Sequence, residues 1–224
     1  MKVKGRTLAM GDIHGNLTAY HQCMRRCRFE NSFDTLIQLG DVSDRHPYTA
    51  EVVEELLKIK SLVAIRGNHD HWTRKWLLHG AIDRSWLENG GFVTIKSYER
   101  LNCAIDKEAH QSFFDSKQVD YFIDVENRLF VHGGFVHPKG PEFEVDSSLC
   151  YRDRSLLQNA FSVSTKPEIL ANFTEIYLGH TPTLNWFQSE PMHIHNLWNL
   201  DTGAGTTGKL TIMDIDTKEY WQSD

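Results

Sequence analysis

The first eighty residues repeat one order of elements three times. Each repeat has a short apolar run, a polar turn and a stretch with helical spacing, and the apolar runs begin at Thr7, Thr35 and Leu62. Strand, turn and helix in regular succession are typical of parallel βαβ units with right-handed crossovers. The repeat therefore predicts an α/β fold in which three parallel strands lie in one sheet.

The rest of the chain has a different pattern. Residues 83–122 have less regular helical spacing and are predicted to form a helical insertion. Short runs rich in Val, Ile, Leu, Tyr or Trp follow, and they predict a mainly β second half with one helix at residues 155–161. A chain of 224 residues is within the range of one large α/β domain, so we expect residues 1–224 to form a single domain.

Charge and composition argue against several classes of protein. The net charge of −6 provides no basic surface of the kind that binds nucleic acid. No apolar run approaches the length that crosses a bilayer, and the four cysteines form no C-x-x-C pair. We therefore expect a cytoplasmic protein that binds neither nucleic acid nor membrane, and its oligomeric state is left open.

Polar clusters follow the predicted strands. They are GDIHGN (11–16), GDVSDR (40–45), RGNHD (66–70), VHGG (131–134) and GHTPT (179–183). Because ligands bind at the carboxyl edge of open α/β sheets, we expect these clusters to converge. The converging set would contain Asp12, His14, Asp41, Asn68, His132 and His180.

The chemistry of this set predicts a metal centre. Carboxylates, imidazoles and a carboxamide without thiolates can hold two borderline divalent ions if one carboxylate bridges them. Asp41 is the expected bridge because it comes from the middle unit. One site would then contain Asp12 and His14, and the other Asn68, His132 and His180. Two such ions, about 3.5–4 Å apart, clamp a phosphoryl group and activate water, so the set predicts phosphoester hydrolysis.

The same clusters, in this order, resemble those of the calcineurin-like metallophosphoesterases. The similarity is strongest to the phosphoprotein phosphatase branch, with its small bacterial and bacteriophage serine/threonine phosphatases, and it extends from about residue 7 to the DTGA segment (201–204) and residue 213. The resemblance implies a four-layer α/β/β/α sandwich of two mixed sheets flanked by helices. It also implies the ligand division given above and two divalent ions, with Mn²⁺ expected first and Fe, Zn, Ni or Co as alternatives.

The resemblance further implies roles for residues beside the ligands. His69 would protonate the leaving oxygen, and Asp44 would orient and charge that imidazole. Arg45 and Asn68 would contact the phosphoryl group. A second arginine would come from residues 150–155, where the motif favours Arg152 over Arg154.

Departures from the motifs bear on the substrate. Pro182 stands where nucleases and many phosphodiesterases of the superfamily have a second histidine, which favours the phosphatase branch. Asp70 replaces the usual glutamate, and His46 with Pro47 replaces the glycine expected after the arginine. We expect a phosphomonoesterase of the serine/threonine protein phosphatase type, acting on a phosphorylated protein or a small phosphoester. The alternatives are a dinucleoside polyphosphate (diadenosine tetraphosphate) hydrolase and a catalytically silent binding protein of the same fold.

Two further interpretations stay open at this level. His46 either contacts substrate or forms the entry to the helix that follows Pro47. Trp72, Trp76 and Trp86 are expected to pack within the helical insertion, with lining of the substrate groove as the alternative.

Overall fold

Two mixed β-sheets pack face to face between two layers of helices. The computed structural model describes residues 5–101 and 104–224. The strands are β1 (Thr7–Met10), β2 (Thr35–Gln38), β3 (Leu62–Ile65), β4 (Gln118–Val119), β5 (Tyr121–Ile123), β6 (Arg128–Val131), β7 (Glu175–Leu178), β8 (Met192–Ile194), β9 (Leu197–Asn199), β10 (Thr211–Asp214) and β11 (Tyr220–Gln222). The predicted four-layer arrangement is confirmed.

The strand order explains why both sheets are mixed. The first sheet has the order β11-β10-β1-β2-β3-β4. Strands β1 to β4 are parallel to one another, β10 pairs antiparallel with β1, and β11 pairs antiparallel with β10. The second has the order β5-β6-β7-β9-β8, with β6, β7 and β9 parallel. The three parallel strands predicted from the repeat are therefore neighbours in one sheet.

Helices cover the outer face of each sheet. The α-helices are α1 (Leu17–Arg26), α2 (Thr49–Leu57), α3 (Asn68–His79), α4 (Arg84–Trp86), α5 (Phe92–Leu101), α6 (Lys107–Ser112), α7 (Leu149–Arg152) and α8 (Ser155–Ser162). Helix α1 begins after Asn16, whose side chain accepts from the Ala19 backbone N–H at 3.1 Å. Helix α3 ends at His79 and is followed by Gly80, whose φ of 66° suits glycine.

Successive side chains of a strand point to opposite faces of the sheet and pack into separate apolar cores. In β1, Leu8 and Met10 belong to the core shared with α1 and α2, whereas Ala9 belongs to the core between the sheets. In that inner core Phe130 and Tyr177 stack with ring centroids 4.9 Å apart. A shift of the strand pairing by one residue would move each side chain to the opposite face of the sheet. Burial of apolar side chains on both faces therefore fixes the register.

In the region predicted as a helical insertion, the described residues form a series of short helices between Arg84 and Lys117. Its helices α4, α5 and α6 alternate with two π-helical segments, Leu87–Gly91 and Phe113–Lys117. The last predicted residues are instead strands, because β4 pairs with β3 in the first sheet and β5 pairs with β6 in the second. The chain thus passes from one sheet to the other at this point.

The described part of the chain contains no helix that is long and apolar enough to span a membrane. Cys23, Cys27 and Cys150 are free and buried. Cys103 lies outside the described residues.

Candidate active site

The polar clusters meet at the carboxyl edges of the two sheets. Met10 in β1 pairs with Gln38 in β2, and Gln38 with Ala64 in β3, so these strands end level with one another. The clusters that follow them are brought together with those after β6 and β7. The pocket there is small, about 70 Å³. It is lined by His14, Asp41, Arg45, Asn68, His69, Arg154, His180, Pro182, Asp201, Gly203, Gly205 and Thr206.

A larger groove, about 690 Å³, lies at the opposite edge of the first sheet, beside Arg6 and Trp221. It contains none of the side chains predicted to act in chemistry. We therefore place the candidate active site in the smaller pocket.

The Asp41 carboxylate lies at the centre of the site. Its Oδ2 is 3.4 Å from His132 Nε2, 3.6 Å from His14 Nε2 and 4.0 Å from His69 Nε2. Burial alone would raise the pKa of Asp41, but the surrounding imidazoles, His132 first, hold it well below its usual value. Asp41 belongs to both groups of potential ligand atoms, one with His14 and His69 and the other with His132 and His180.

Backbone carbonyls orient two of the imidazoles. His14 Nδ1 is 2.9 Å from the Ser43 carbonyl oxygen, and His132 Nδ1 is 2.8 Å from that of Leu39. A Nδ1–H donated to a carbonyl leaves Nε2 unprotonated, which is the form that binds a metal. Burial also lowers the pKa of His14 to about 3, so its ring is neutral.

One ring nitrogen of His180 makes no hydrogen bond in the described part of the chain. Its Nε2 is 3.3 Å from the Arg152 carbonyl oxygen, whereas its Nδ1 is buried without a hydrogen-bond partner among the described residues. Burial, and next the nearby His132, lower the pKa of His180 well below its usual value. A buried, neutral and unpartnered imidazole nitrogen facing carboxylates fits a metal ligand.

Asp12 and Asn68 approach the His132 side of the cluster. Asp12 accepts from the His180 backbone N–H at 3.1 Å, and its Oδ1 is 3.9 Å from His132 Nδ1. Asn68 Oδ1 is 3.4 Å from His132 Nε2. Gly179 makes this approach possible, because a Cβ there would lie 2.2 Å from Asp12 Oδ1. All six predicted ligands are thus in one cluster, and their division between two ions stays a prediction.

The site concentrates buried negative charge. Asp12, Asp41, Asp70 and Asp201 are each at most 3% exposed. Burial, and then its neighbours Asp201 and Asp41, raise the pKa of Asp12 well above its usual value, and burial raises the pKa of Asp201 to about 6. Divalent cations would relieve this repulsion, so the electrostatics agree with the donor set.

His69 is held by Asp44 beside this cluster. Its Nδ1 is 2.6 Å from Asp44 Oδ2, and both side chains are buried. Burial lowers the pKa of His69, but the carboxylates of Asp41 and Asp44 outweigh it, so the net pKa is raised. The imidazole therefore favours the protonated form that a general acid requires.

Two residues that sequence reasoning missed hold Asp44 in place. The Trp86 indole N–H lies 2.9 and 3.0 Å from the two carboxylate oxygens, and the Thr94 hydroxyl donates to Oδ1 at 2.7 Å. Thr94 also accepts from the Asp44 backbone N–H at 2.9 Å. The one available signal was that a buried tryptophan needs an acceptor for its N–H.

Asp70, the departure from the usual glutamate, joins three polar segments. It accepts from the backbone N–H groups of Val42 at 2.9 Å and Gly67 at 3.1 Å, and from Gln118 Nε2 at 2.8 Å. The aspartate therefore fixes the turn that carries Asp41 against the turn that carries Asn68.

Of the two arginines favoured from sequence, Arg45 lies at the pocket and Arg152 does not. Arg45 and Arg154 line the pocket. Arg154 donates to the His180 carbonyl oxygen and to Thr181 Oγ1, each at 2.8 Å. The Arg152 side chain, favoured from sequence, is 60% exposed and turns to Asp146 at 3.5 Å and to the Ser148 hydroxyl, because these two groups satisfy its charge and donors.

Several residues of the candidate active site have a strained backbone conformation. Ten non-glycine residues in the described ranges have positive φ, and five of them belong to this site. They are His14, Asp41, Asp44, Arg45 and His180. Each such conformation costs about 1–3 kcal/mol and persists only where surrounding structure enforces it, which is typical of functional sites.

Comparisons with known proteins agree with this geometry. A family model described as calcineurin-like phosphoesterase matches residues 5–199. The chain is 27% identical over 208 residues to serine/threonine-protein phosphatase 1 of Salmonella typhimurium, covering 92% of this chain and 90% of that protein. It is 22% identical over 222 residues to the asymmetrical bis(5'-nucleosyl)-tetraphosphatase PrpE of Bacillus mycoides, covering 90% and 87%.

Solved structures show the same fold. A protein described as a candidate diadenosine tetraphosphatase superposes with a TM-score of 0.67 at 17% identity, covering 99% of this chain and 94% of that one. A protein serine/threonine phosphatase from Saccharomyces cerevisiae superposes with a TM-score of 0.62 at 13% identity, covering 100% and 81%.

We expect Mn²⁺ to stabilise metal-stripped protein against unfolding, because the ion binds the folded carboxylate cluster. The gain is about 2.7 kcal/mol at a free ion concentration of about 100 times Kd, measured as a rise in Tm. Asp41→Asn should lose most of this rise, whereas Asp83→Asn, at the exposed start of α4, should keep it. An equal rise in both variants would contradict a site centred on Asp41.

We expect Trp86→Phe to lower the free energy of unfolding by about 1.5–3 kcal/mol, because it removes a hydrogen bond to a buried carboxylate. Trp76→Phe is the matched control: Trp76 packs on Trp86 with ring centroids 5.8 Å apart, and the hydrogen bonds given for the Asp44 carboxylate in the described residues come from His69, Trp86 and Thr94. Urea denaturation under one metal condition should show less than half the loss for the control. Equal losses would mean that Trp86 acts by packing alone.

Proposed function

This chain belongs to the calcineurin-like phosphoesterase family of metal-dependent phosphatases, and we propose that it is a phosphomonoesterase of the serine/threonine protein phosphatase type. The observation that carries the proposal is the buried Asp41 carboxylate, surrounded by imidazoles, with the His69 and Asp44 pair beside it. Such a site combines cation binding with a proton donor, which is what hydrolysis of a phosphoester requires.

The metal ligands divide around Asp41. Asp12, His14 and Asp41 would hold one divalent ion, and Asp41, Asn68, His132 and His180 the other. When bound, the ions would supply positive charge to the phosphoryl oxygens and an acidified water for direct in-line attack. We propose Mn²⁺ as the native ion, and the oxygen and nitrogen donors are equally suited to Fe, Zn, Ni or Co.

We assign His69 to proton transfer rather than to metal ligation. Its Nδ1 is engaged by Asp44 at 2.6 Å, and its Nε2 is farther from Asp41 Oδ2 than those of His14 and His132. The proton on Nε2 is therefore the one available to the leaving oxygen. Asp44 supports the positive charge of the ring before that transfer.

Arg45 and Arg154 would clamp the phosphoryl group from two sides. Both line the pocket, and no hydrogen bond or ion pair joins the Arg45 guanidinium to another described residue. A guanidinium matches two phosphate oxygens and stays charged. We therefore prefer Arg154 to Arg152 as the second arginine, because Arg154 lines the pocket, whereas the Arg152 side chain is largely exposed outside it.

The substrate proposal rests on similarity to serine/threonine-protein phosphatase 1, which is 27% identical to this chain, against 22% for the tetraphosphatase. Hydrolysis of dinucleoside polyphosphates is the second candidate, because relatives carry that name. We further propose that the protein acts in the cytoplasm, since the three described cysteines are free.

Side-by-side turnover with Mn²⁺ would test the substrate class. We expect hydrolysis of para-nitrophenyl phosphate, and kcat/KM for a phosphoserine or phosphothreonine peptide above that for diadenosine tetraphosphate. Asp41→Asn should be inactive on all three, which excludes a contaminating phosphatase. A strong preference for the dinucleotide would overturn the protein phosphatase proposal. Absence of hydrolysis with Mn²⁺, Fe, Zn, Ni and Co would favour a binding protein.

His69→Asn should separate proton transfer from metal binding. We expect turnover of a phosphopeptide, which has a poor leaving group, to fall by about 10²–10⁴-fold because the general acid is lost. Para-nitrophenyl phosphate should be less affected, and metal analysis should find the ions retained. Loss of metal together with activity would make His69 a ligand and the division of roles wrong.

A further inference from the structure

The Arg45 side chain lies between two glycines from distant parts of the chain. A Cβ on Gly90 would lie 2.8 Å from the Arg45 backbone nitrogen, and one on Gly205 would lie 2.8 Å from Arg45 Cδ. The Gly205 position also contacts His14, where the same Cβ would be 2.3 Å from Cδ2. Glycine is required at positions 90 and 205, because any side chain there would collide with Arg45. Arg45 is therefore closely packed both at its backbone and along the methylene groups of its side chain.

His46, the residue after Arg45, is hydrogen-bonded to the segment that packs on the arginine stem. Its Nε2 is 3.0 Å from the carbonyl oxygen of Ala204, the residue before Gly205. Its backbone N–H lies 3.0 Å from the His14 carbonyl oxygen and 2.8 Å from that of Asp44. A glycine at position 46, as the family motif would have, could not reach Ala204.

Neither role considered from sequence for His46 accounts for its contact with Ala204. The ring is absent from the described lining of the pocket, so it does not face the reacting group. Helix α2 begins at Thr49 after Tyr48, without a side-chain cap hydrogen bond, so His46 does not cap it. The contact with Ala204 remains as the feature to explain.

We propose that His46 is a positioning residue for Arg45, holding the turn of residues 203–206 against the arginine stem so that the guanidinium faces the pocket. This turn is closed by a Thr206 N–H to Gly203 carbonyl hydrogen bond of 2.9 Å, so one tie at Ala204 fixes it as a unit. A long side chain loses up to about 2 kcal/mol of rotamer entropy when it is immobilised. Restricting Arg45 beforehand lowers that cost and strengthens phosphate binding.

The inference rests on the proposed role of Arg45 as a phosphate clamp. It predicts an effect on phosphate affinity and not on the chemical step, because the contacts given for the His46 side chain in the described residues include none with the potential ligand atoms or with the His69 ring. Binding of inorganic phosphate is therefore the direct readout.

The test compares His46→Ala and His46→Asn, which cannot reach Ala204, with His46→Gln, whose longer amide can. Calorimetry on Mn²⁺-loaded protein should show phosphate Kd raised roughly three- to tenfold in the first two, as expected for one lost hydrogen bond, and mostly restored in the third. KM for para-nitrophenyl phosphate should rise in parallel, with kcat changed by less than about twofold. His193→Ala, a histidine on the distant edge strand β8, is the matched control and should leave phosphate affinity unchanged.

A double-mutant cycle with Arg45→Ala identifies the route of the effect. If His46 acts through Arg45, adding His46→Ala to Arg45→Ala should cause no further loss of phosphate affinity. Additive losses, unchanged affinity in both His46→Ala and His46→Asn, or a fall in kcat at constant KM would overturn the proposal. Unchanged affinity in Arg45→Ala itself would instead refute the clamp on which it rests, so the two failures can be distinguished.

Discussion

The Asp41 carboxylate is the group around which the active-site edge is arranged. It is almost completely buried, and an isolated charge in that position would be strongly destabilising. Imidazoles on three sides and the His69 backbone N–H, at 3.0 Å, compensate the charge. The neighbouring chain must leave room for it, since a Cβ on Gly67 would lie 2.0 Å from Asp41 Oδ1. The glycine at position 67 and the surrounding imidazoles are thus both arranged around this one group.

The same edge keeps its ligands in uncommon backbone conformations. Asp41 and His14 both have positive φ, and neither is a residue type for which that conformation is free of cost. The turns stay in place because each follows a strand in a parallel ladder and because Asp70 joins neighbouring turns through buried hydrogen bonds. The sheets therefore hold the strained turns in place, and the conformation of each turn sets the direction of the side chains in the candidate active site.

The helical insertion contributes to chemistry as well as to packing. Trp86 and Thr94 hold the Asp44 carboxylate, and Gly90 packs on the Arg45 backbone. The His69 and Asp44 pair, proposed as the general acid, and the proposed phosphate clamp are thus both supported from outside the strand ends. Changes in this segment could alter the acid or the clamp while leaving the metal ligands in place.

The sequence by itself determined the fold class and the six predicted ligands. Strand ends can be read from local apolar runs, and parallel strands bring their ends to one edge, so Asp12, His14, Asp41, Asn68, His132 and His180 could be placed together without coordinates. Tertiary structure alone decided the support of these groups. It showed that Arg154 and not Arg152 lines the pocket, and that His46 reaches Ala204, 158 positions away. Contacts of this kind depend on how loops from separate elements pack and on which side-chain direction satisfies charge and hydrogen bonding, and no local pattern in the chain encodes them.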